Sequence, residues 1–275
     1  MDVDVIIESL PLYGQGALVT LALLVLSLGI GLLFALPLAM LRSLPSPWVW
    51  RPIWAYTYVI RGTPMLLQLF LLYYGLAQFE AVRESVFWPW LRSAWFCSVA
   101  AFAINTCAYT TEILHGAMRS LPGGEIEAAK ALGMSRWVTF RRIVLPSAFR
   151  RALPAYGNEV VLMLHGTSLA SVVTLYDLTG AAREVNSRYY LPFEAFITAG
   201  VCYLLITFVL VAMFRAAEKR WLQPLTARSC YQSPHAPDPA HPSLGHPRQP
   251  AHLGQPALRH ARRRPQGLHP GLAAR

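Results

Sequence analysis

Charged side chains are scarce in this chain. Asp, Glu, Lys and Arg make up 14% of its 275 residues, whereas soluble domains carry about 25%. Hydrophobic residues reach 55%, and the mean hydropathy is +0.38. This balance excludes an ordinary soluble domain and predicts an all-α integral membrane protein.

Motifs of several enzyme and metal-protein classes are also missing. No Gly-x-x-x-x-Gly-Lys-Ser/Thr segment occurs, so the chain has no nucleotide-phosphate-binding loop of this type. Any ATP hydrolysis would have to be carried out by a partner, and no cofactor is predicted in this chain. Gly-x-Ser-x-Gly is absent too. His165 and Ser168 nevertheless lie one helical turn apart, which leaves an intramembrane hydrolase as an alternative. The four cysteines lack metal-ligand spacing, so no metal site is predicted.

The formal net charge is +10, but its distribution does not indicate nucleic-acid binding. The basic residues lie in particular loops and in the C-terminal tail, without interleaved aromatic residues. No Lys or Arg precedes Arg42, so a cleavable signal peptide is not predicted. The charges instead carry information about membrane topology.

Five apolar stretches predict five transmembrane helices. Each is long enough to cross the hydrocarbon layer. The second is interrupted by Arg61-Gly62-Thr63-Pro64, and the Thr63 hydroxyl is expected to bond a carbonyl that the kink exposes. The predicted spans are 14–41, 52–78, 93–111, 153–175 and 195–214.

The loops between these spans alternate in basic excess, which sets orientation in a membrane. The loop 112–151 carries seven basic residues. Arg42 and Arg51 follow the first span, and further basic residues follow the fifth, whereas the other loops have balanced charge. The pattern places the N-terminus outside, and the loop 112–151 and the C-terminus inside.

A polar segment within that inner loop has the most specific pattern. Residues 125–146 indicate two short helices joined at Gly133, where glycine permits a positive φ. Ser135 is expected to cap the second helix, whose apolar face includes Trp137 and Phe140. One interpretation is an amphipathic helix pair that rests on the lipid surface.

A second interpretation follows from the spacing of seven residues, which resembles the EAA signature of ABC importer permeases. That resemblance implies that the loop 125–146 forms a cytoplasmic coupling helix that docks on an ATP-binding subunit holding ATP and Mg²⁺. It also implies a sister permease and an extracytoplasmic binding protein as partners, and membrane lipid around the chain. The matching residues are Glu127, Ala128, Ala129, Gly133, Ile143, Leu145 and Pro146.

Further stretches resemble the polar amino-acid branch, particularly permeases of the histidine, lysine, arginine and ornithine type. They are residues 54–59, 61–64, 68–70, 158–160 and 167–171. The resemblance implies import of polar, and specifically basic, amino acids across the bacterial cytoplasmic (inner) membrane. An ion-coupled secondary carrier that uses Glu159 is the alternative, and dependence of uptake on ATP would separate the two.

Candidate residues of the substrate path are polar groups within or beside the predicted spans. An acid could balance a cationic substrate, and Glu112, Glu159 and Asp177 are the candidates. The favoured alternative is that Glu112 and Glu159 pair with Arg119, Arg150 or Arg151, and that Asp177 begins an outer loop. The predicted path residues are Arg61, Thr63, Glu159 and Ser168.

The composition changes abruptly after residue 224. Nine prolines and six histidines follow, with three consecutive arginines at 262–264, and no apolar periodicity supports a core. We predict a permease domain over 1–224 and a disordered tail over 225–275. We hypothesise that this tail is a non-native extension, which sequencing of the gene would test.

Overall fold

A computed structural model describes residues 3–229 of the chain, with side chains over 4–221. Within these residues the structure is helical and contains no strand. The helices are α1 (Val3–Arg42), α2 (Pro47–Gly62), α3 (Met65–Phe70), α4 (Glu80–Arg83), α5 (Trp88–Leu91), α6 (Ala94–Arg119), α7 (Gly123–Ala131), α8 (Arg136–Thr139), α9 (Leu145–Gly166), α10 (Leu178–Tyr189) and α11 (Pro192–Ser229).

Two of these helices are long and apolar enough to cross a membrane on their own. They are α1, over Asp4–Arg42, and α11, over Pro192–Trp221. Two bent pairs meet the same requirement when each pair is taken as one span: α2 with 65–78, and 136–173 with α10. Length and composition therefore give between two and four spans in the described part of the chain, and the predicted count of five stays a prediction.

Helix α6, which contains the predicted third span, lies at the centre of the fold. It packs against α1, α2 and α9, and many of its buried residues are small or polar, such as Ala101 and Thr106. Small residues let neighbouring helix backbones approach closely. The fully buried Phe102 joins Leu23 and Leu164 in the largest apolar cluster. Helix α6 thus has an apolar environment supplied by its neighbours.

The interruption at Arg61-Gly62-Thr63-Pro64 produces a sharp break. Helix α2 and the helical segment 65–78 meet at 104°. The Thr63 hydroxyl donates to the carbonyl of Val59 at 3.0 Å, which confirms the predicted use of that hydroxyl. The Gln68 side chain, which belongs to a stretch that carries the amino-acid-permease resemblance, donates to the carbonyl of Ile60 at 2.7 Å. Side chains therefore satisfy the backbone that the break exposes.

The predicted fourth span corresponds to α9 and a 3₁₀ segment, Thr167–Val173, that ends at Thr174 with φ of 68°. Beyond it the sequence predicted an outer loop, whereas the structure has helix α10. Asp177 caps this helix by accepting the Gly180 N–H at 2.9 Å. The Leu178 N–H in turn bonds the Thr20 hydroxyl of α1 at 3.1 Å. The 178–189 segment is thus held against α1 by specific bonds.

Helix α11 runs to Ser229, a few residues beyond the predicted domain boundary at 224. The prediction of a disordered tail over 225–275 otherwise concerns residues outside the described range.

Candidate functional site

The signature loop begins with α7, which ends in a turn that depends on glycine. Gly133 has φ of +73°, as the sequence predicted. The Gly133 N–H bonds the Lys130 carbonyl at 2.9 Å, and the Met134 N–H bonds the Ala129 carbonyl at 3.1 Å. These two bonds make a Schellman motif, in which a left-handed residue closes the helix. A side chain at 133 would oppose this conformation.

The second part of the loop runs from α8 into α9. Ser135 caps α8 by accepting the Val138 N–H at 3.4 Å, which confirms the predicted cap. A π-helical turn, Phe140–Val144, then leads to Pro146 near the start of α9. Proline has no N–H to continue the regular hydrogen-bond ladder, and a π turn is a common way to absorb such an irregularity.

The loop exposes apolar and charged groups together. Leu132 is 81% exposed and Trp137 is 64% exposed. Glu127 and Ala128 are exposed as well, while Ala129 is buried. The Trp137 ring stacks on Phe140 at 6.0 Å between ring centroids. Large apolar side chains on an otherwise polar loop mark a surface for contact with a partner or a membrane.

The rest of the loop is anchored in the helix bundle. Phe140 and Val144 pack against an apolar cluster that includes Ala39 of α1 and Leu114 of α6. The neighbouring signature positions, Ile143 and Leu145, are partly buried. The second half of the loop is therefore packed onto α1 and α6.

Polar groups also meet around the α2–α3 break, where Arg61 is exposed while Gln68 and Asn105 are buried. The Arg61 guanidinium lies over the Tyr109 ring at 5.0 Å from its centroid. Gln68 donates to the Thr63 hydroxyl at 2.8 Å and accepts from the Asn105 amide at 3.0 Å. Arg61 and Thr63, two predicted path residues, thus belong to one polar region with α6. Asn105 was missed because an isolated amide in an apolar stretch does not show its partner.

The three candidate acids have different environments. Glu112 accepts hydrogen bonds from Arg42 at 3.3 Å and from Thr57 at 2.7 Å, so the predicted pairing with Arg119, Arg150 or Arg151 is wrong. Both Asp177 oxygens serve the fold, since one caps α10 and the other accepts from Tyr203 at 3.2 Å.

Glu159 is the acid that remains in the polar region. It is 5% exposed, and its carboxylate lies beside Thr106 and within electrostatic reach of Arg61. A carboxylate that is buried among helices of a membrane protein is a group that can attract a cation. The geometry thus separates Glu159 from Glu112 and Asp177.

Ser168, the fourth predicted path residue, lies in the 3₁₀ segment after α9. Its hydroxyl donates to the backbone carbonyl of His165 at 2.7 Å. The His165 ring is 3.4 Å from the Thr207 hydroxyl instead. Ser168 and His165 therefore do not form the nucleophile and base pair that a hydrolase would need.

Comparison with known proteins places this geometry in a family. Residues 27–223 match the binding-protein-dependent transport system inner membrane components. The chain belongs to this family. It is accordingly an inner-membrane transport component, and the matched region includes the signature loop and the polar region around the α2–α3 break.

Individual relatives are similar over most of their own lengths. The nopaline transport system permease protein NocM of Agrobacterium fabrum is 48% identical, over 82% of this chain and 93% of that protein. The histidine/lysine/arginine/ornithine transport system permease protein HisM of Escherichia coli is 51% identical, over 76% of this chain and 88% of that protein. The octopine transport system permease protein OccM of Rhizobium meliloti is 45% identical, over 74% of this chain and 83% of that protein.

Solved structures share the fold. An amino acid ABC transporter crystallised with histidines has a TM-score of 0.72 and 33% identity, covering 80% of this chain and 99% of that one. An inward-facing methionine ABC transporter has a TM-score of 0.63 at 16% identity, covering 76% of this chain and 95% of that one. The helical architecture is therefore that of an ABC importer permease.

Proposed function

We propose that this chain is one of two transmembrane subunits of an ATP-driven importer of polar, and specifically basic, amino acids. Relatives whose names specify nopaline, octopine, or histidine, lysine, arginine and ornithine transport support this substrate class. The observation that carries the proposal is the signature loop, whose spacing and exposed side chains suit contact with a separate subunit.

The loop 125–146 is the proposed contact with the ATP-binding subunit. Glu127 and Ala128 lie on the exposed side of α7, with Leu132 and Trp137 beside the Gly133 turn. Ile143, Leu145 and Pro146 lead from that surface into α9. ATP and Mg²⁺ would bind to the partner, and closure of the paired ATP-binding subunits would move α7 together with the bundle.

Five spans and an outside N-terminus complete the proposed topology. Helices α1, α6 and α11 would each be a span, as would the segment 47–78 and the segment 145–175. This arrangement places the signature loop between the third and fourth spans, on the side where the basic excess is greatest. Residues 225–275 would follow as a tail outside the permease domain.

A sister permease is the proposed partner for part of the apolar surface. Helix α11 exposes a series of large side chains within a span that is 6% buried, and such a surface needs lipid or another subunit. An extracytoplasmic binding protein would deliver the amino acid on the opposite side from the signature loop. The substrate would then pass between the two permeases, beside Arg61, Thr63, Glu159 and Ser168.

Co-purification tests the coupling role. The chain and the proteins encoded with it should be expressed together, extracted in a mild detergent and analysed by mass spectrometry. Glu127→Lys reverses a charge on the exposed face of α7, so we expect an ATP-binding subunit to be retained by the unaltered chain and lost from the variant. Glu84→Lys makes the same change at an exposed position outside the loop and serves as the control. Equal retention by both variants would refute the coupling role.

An ion-coupled carrier is the second candidate, because Glu159 is buried within a predicted span. In proteoliposomes, uptake that requires ATP inside and persists when ion gradients are collapsed supports the importer. Uptake that follows the ion gradient without ATP supports the carrier.

A further inference from the structure

A basic pocket lies where α1 and α6 end and α2 begins. It has a volume of about 790 Å³, and its lining includes Arg42, Arg51, Arg119 and His115, with no acidic residue among the side chains that the structure describes. Three helices thus supply three guanidinium groups to one cavity. The pocket is separate from the signature loop and from the polar region around Glu159.

The positive charges around this pocket are incompletely balanced. Arg42 is paired with Glu112 at 3.3 Å. Arg51 and Arg119 have no carboxylate within 4.0 Å among the residues whose side chains are described. The Trp50 ring contacts both Arg42 and Arg51, at 5.3 and 5.9 Å from its centroid, so these cations are held close together. Like charges at such a site repel, and an anion between them would offset the repulsion.

Helix dipoles explain part of this arrangement. Arg42 and Arg119 occupy the last turns of α1 and α6, where a cation is favoured. Arg51 lies near the opposite, N-terminal end of α2, so the dipole gives no reason for a cation there. Arg51 is exposed, so its charge is open to a ligand of negative charge.

We propose that the basic pocket binds the phosphate-bearing headgroup of an anionic phospholipid from the leaflet nearest the signature loop. Guanidinium groups match phosphate oxygens in charge and in the spacing of their donors. Basic pockets between transmembrane helices are a known form of headgroup site. The chemistry therefore fits a phosphate diester that is held by arginines from different helices.

The surroundings favour a lipid over a free phosphate ion. Trp48 is 91% exposed and Tyr58 is 67% exposed, and Trp54, which lines the pocket, stacks on Tyr58 at 5.3 Å. Exposed aromatic residues of this type concentrate at the boundary between headgroups and hydrocarbon. The acyl chains would lie along the apolar surface of α2 while the headgroup enters the pocket.

Lipid binding at this pocket would have a structural consequence. Arg42 and Arg119 are the terminal residues of α1 and α6, and α6 leads within a few residues into α7. A bound headgroup would therefore fix the base of the signature loop relative to α1 and α2.

Native mass spectrometry of the detergent-purified transporter tests the proposal. The probes are phosphatidylglycerol and phosphatidylcholine with the same acyl chains, each added over the same series of concentrations. We expect preferential retention of phosphatidylglycerol, and about a tenfold loss of that preference in the double variant Arg51→Gln with Arg119→Gln. The double variant Arg83→Gln with Arg92→Gln removes the same charge from two exposed positions elsewhere and should keep the preference.

Three results would overturn the proposal. Equal retention of the two lipids would show that no anionic headgroup is selected. Displacement of phosphatidylglycerol by millimolar inorganic phosphate would indicate an ion site. Loss of a protein subunit from the Arg51 and Arg119 variant, with lipid retention unchanged, would assign the pocket to a subunit contact. A thermal unfolding midpoint equal to that of the control variant shows that the comparison concerns folded protein.

Discussion

The Nε atom of Arg42 donates to Oε1 of Glu112 at 3.3 Å, and this contact joins residues 70 positions apart in the chain. The Thr57 hydroxyl donates to the same oxygen at 2.7 Å. One carboxylate oxygen therefore ties α6 to both α1 and α2. Because the side chains of Arg42 and Glu112 are only 14% and 21% exposed, water competes weakly for these bonds.

Replacing this carboxylate should weaken the bundle. Glu112→Gln removes the charge that Arg42 faces, and we expect the free energy of unfolding in detergent to fall by about 1–3 kcal/mol. Glu184→Gln is the matched control, since Glu184 pairs with Arg188 at 2.8 Å on an exposed surface. That surface pair should contribute much less, because solvent screens it. Equal losses in the two variants would show that the Arg42–Glu112 pair has no special role.

The left-handed turn at Gly133 gives a test of loop geometry. Gly133→Ala places a Cβ on a residue with φ of +73°, at a cost of about 1–2 kcal/mol. We expect uptake in proteoliposomes with ATP and the binding protein to fall about tenfold, since about 1.4 kcal/mol corresponds to that factor.

Gly124→Ala is the control for this change. Gly124 is also in α7, has open space around it and has no positive φ, so uptake should stay near the unaltered rate. Uptake by Gly133→Ala that equals uptake by Gly124→Ala would mean that the Schellman turn is not needed for coupling.

Close packing between α1 and the start of α10 can be tested in the same way. A Cβ on Gly16 would lie 2.8 Å from the Asp177 carbonyl oxygen, and backbone atoms cannot move aside as a flexible side chain can. Gly16→Ala should therefore lower the free energy of unfolding by about 1–3 kcal/mol. Gly14→Ala, where nothing lies within 4 Å, should cause no loss because alanine favours a helix. If Gly16→Ala and Gly14→Ala changed the free energy of unfolding equally, the backbone around Gly16 and Asp177 would be able to relax at little cost.

The sequence was most informative where the cause of a structure is local. The positive φ of Gly133 and the cap at Ser135 follow from neighbouring residues, and both were predicted. Helix α10 was missed because its stability depends on distant contacts, such as the Thr20 hydroxyl that bonds Leu178. The choice among Glu112, Glu159 and Asp177 also required the fold, since only the packing of the helices determines which acid finds a partner.

Glu159 provides the sharpest test of the substrate class. If its buried carboxylate balances the charge of a basic amino acid in transit, Glu159→Gln should raise the substrate concentration for half-maximal uptake by at least about tenfold, because the site loses its attraction for a cation. Glu159→Asp keeps the charge and should restore much of the uptake. Uptake is measured in proteoliposomes with labelled arginine or lysine, alongside ATP hydrolysis stimulated by the binding protein. Retained ATP hydrolysis with impaired uptake places the defect in the substrate path. A loss of both activities that Glu159→Asp does not reverse would instead mean that Glu159 supports the fold.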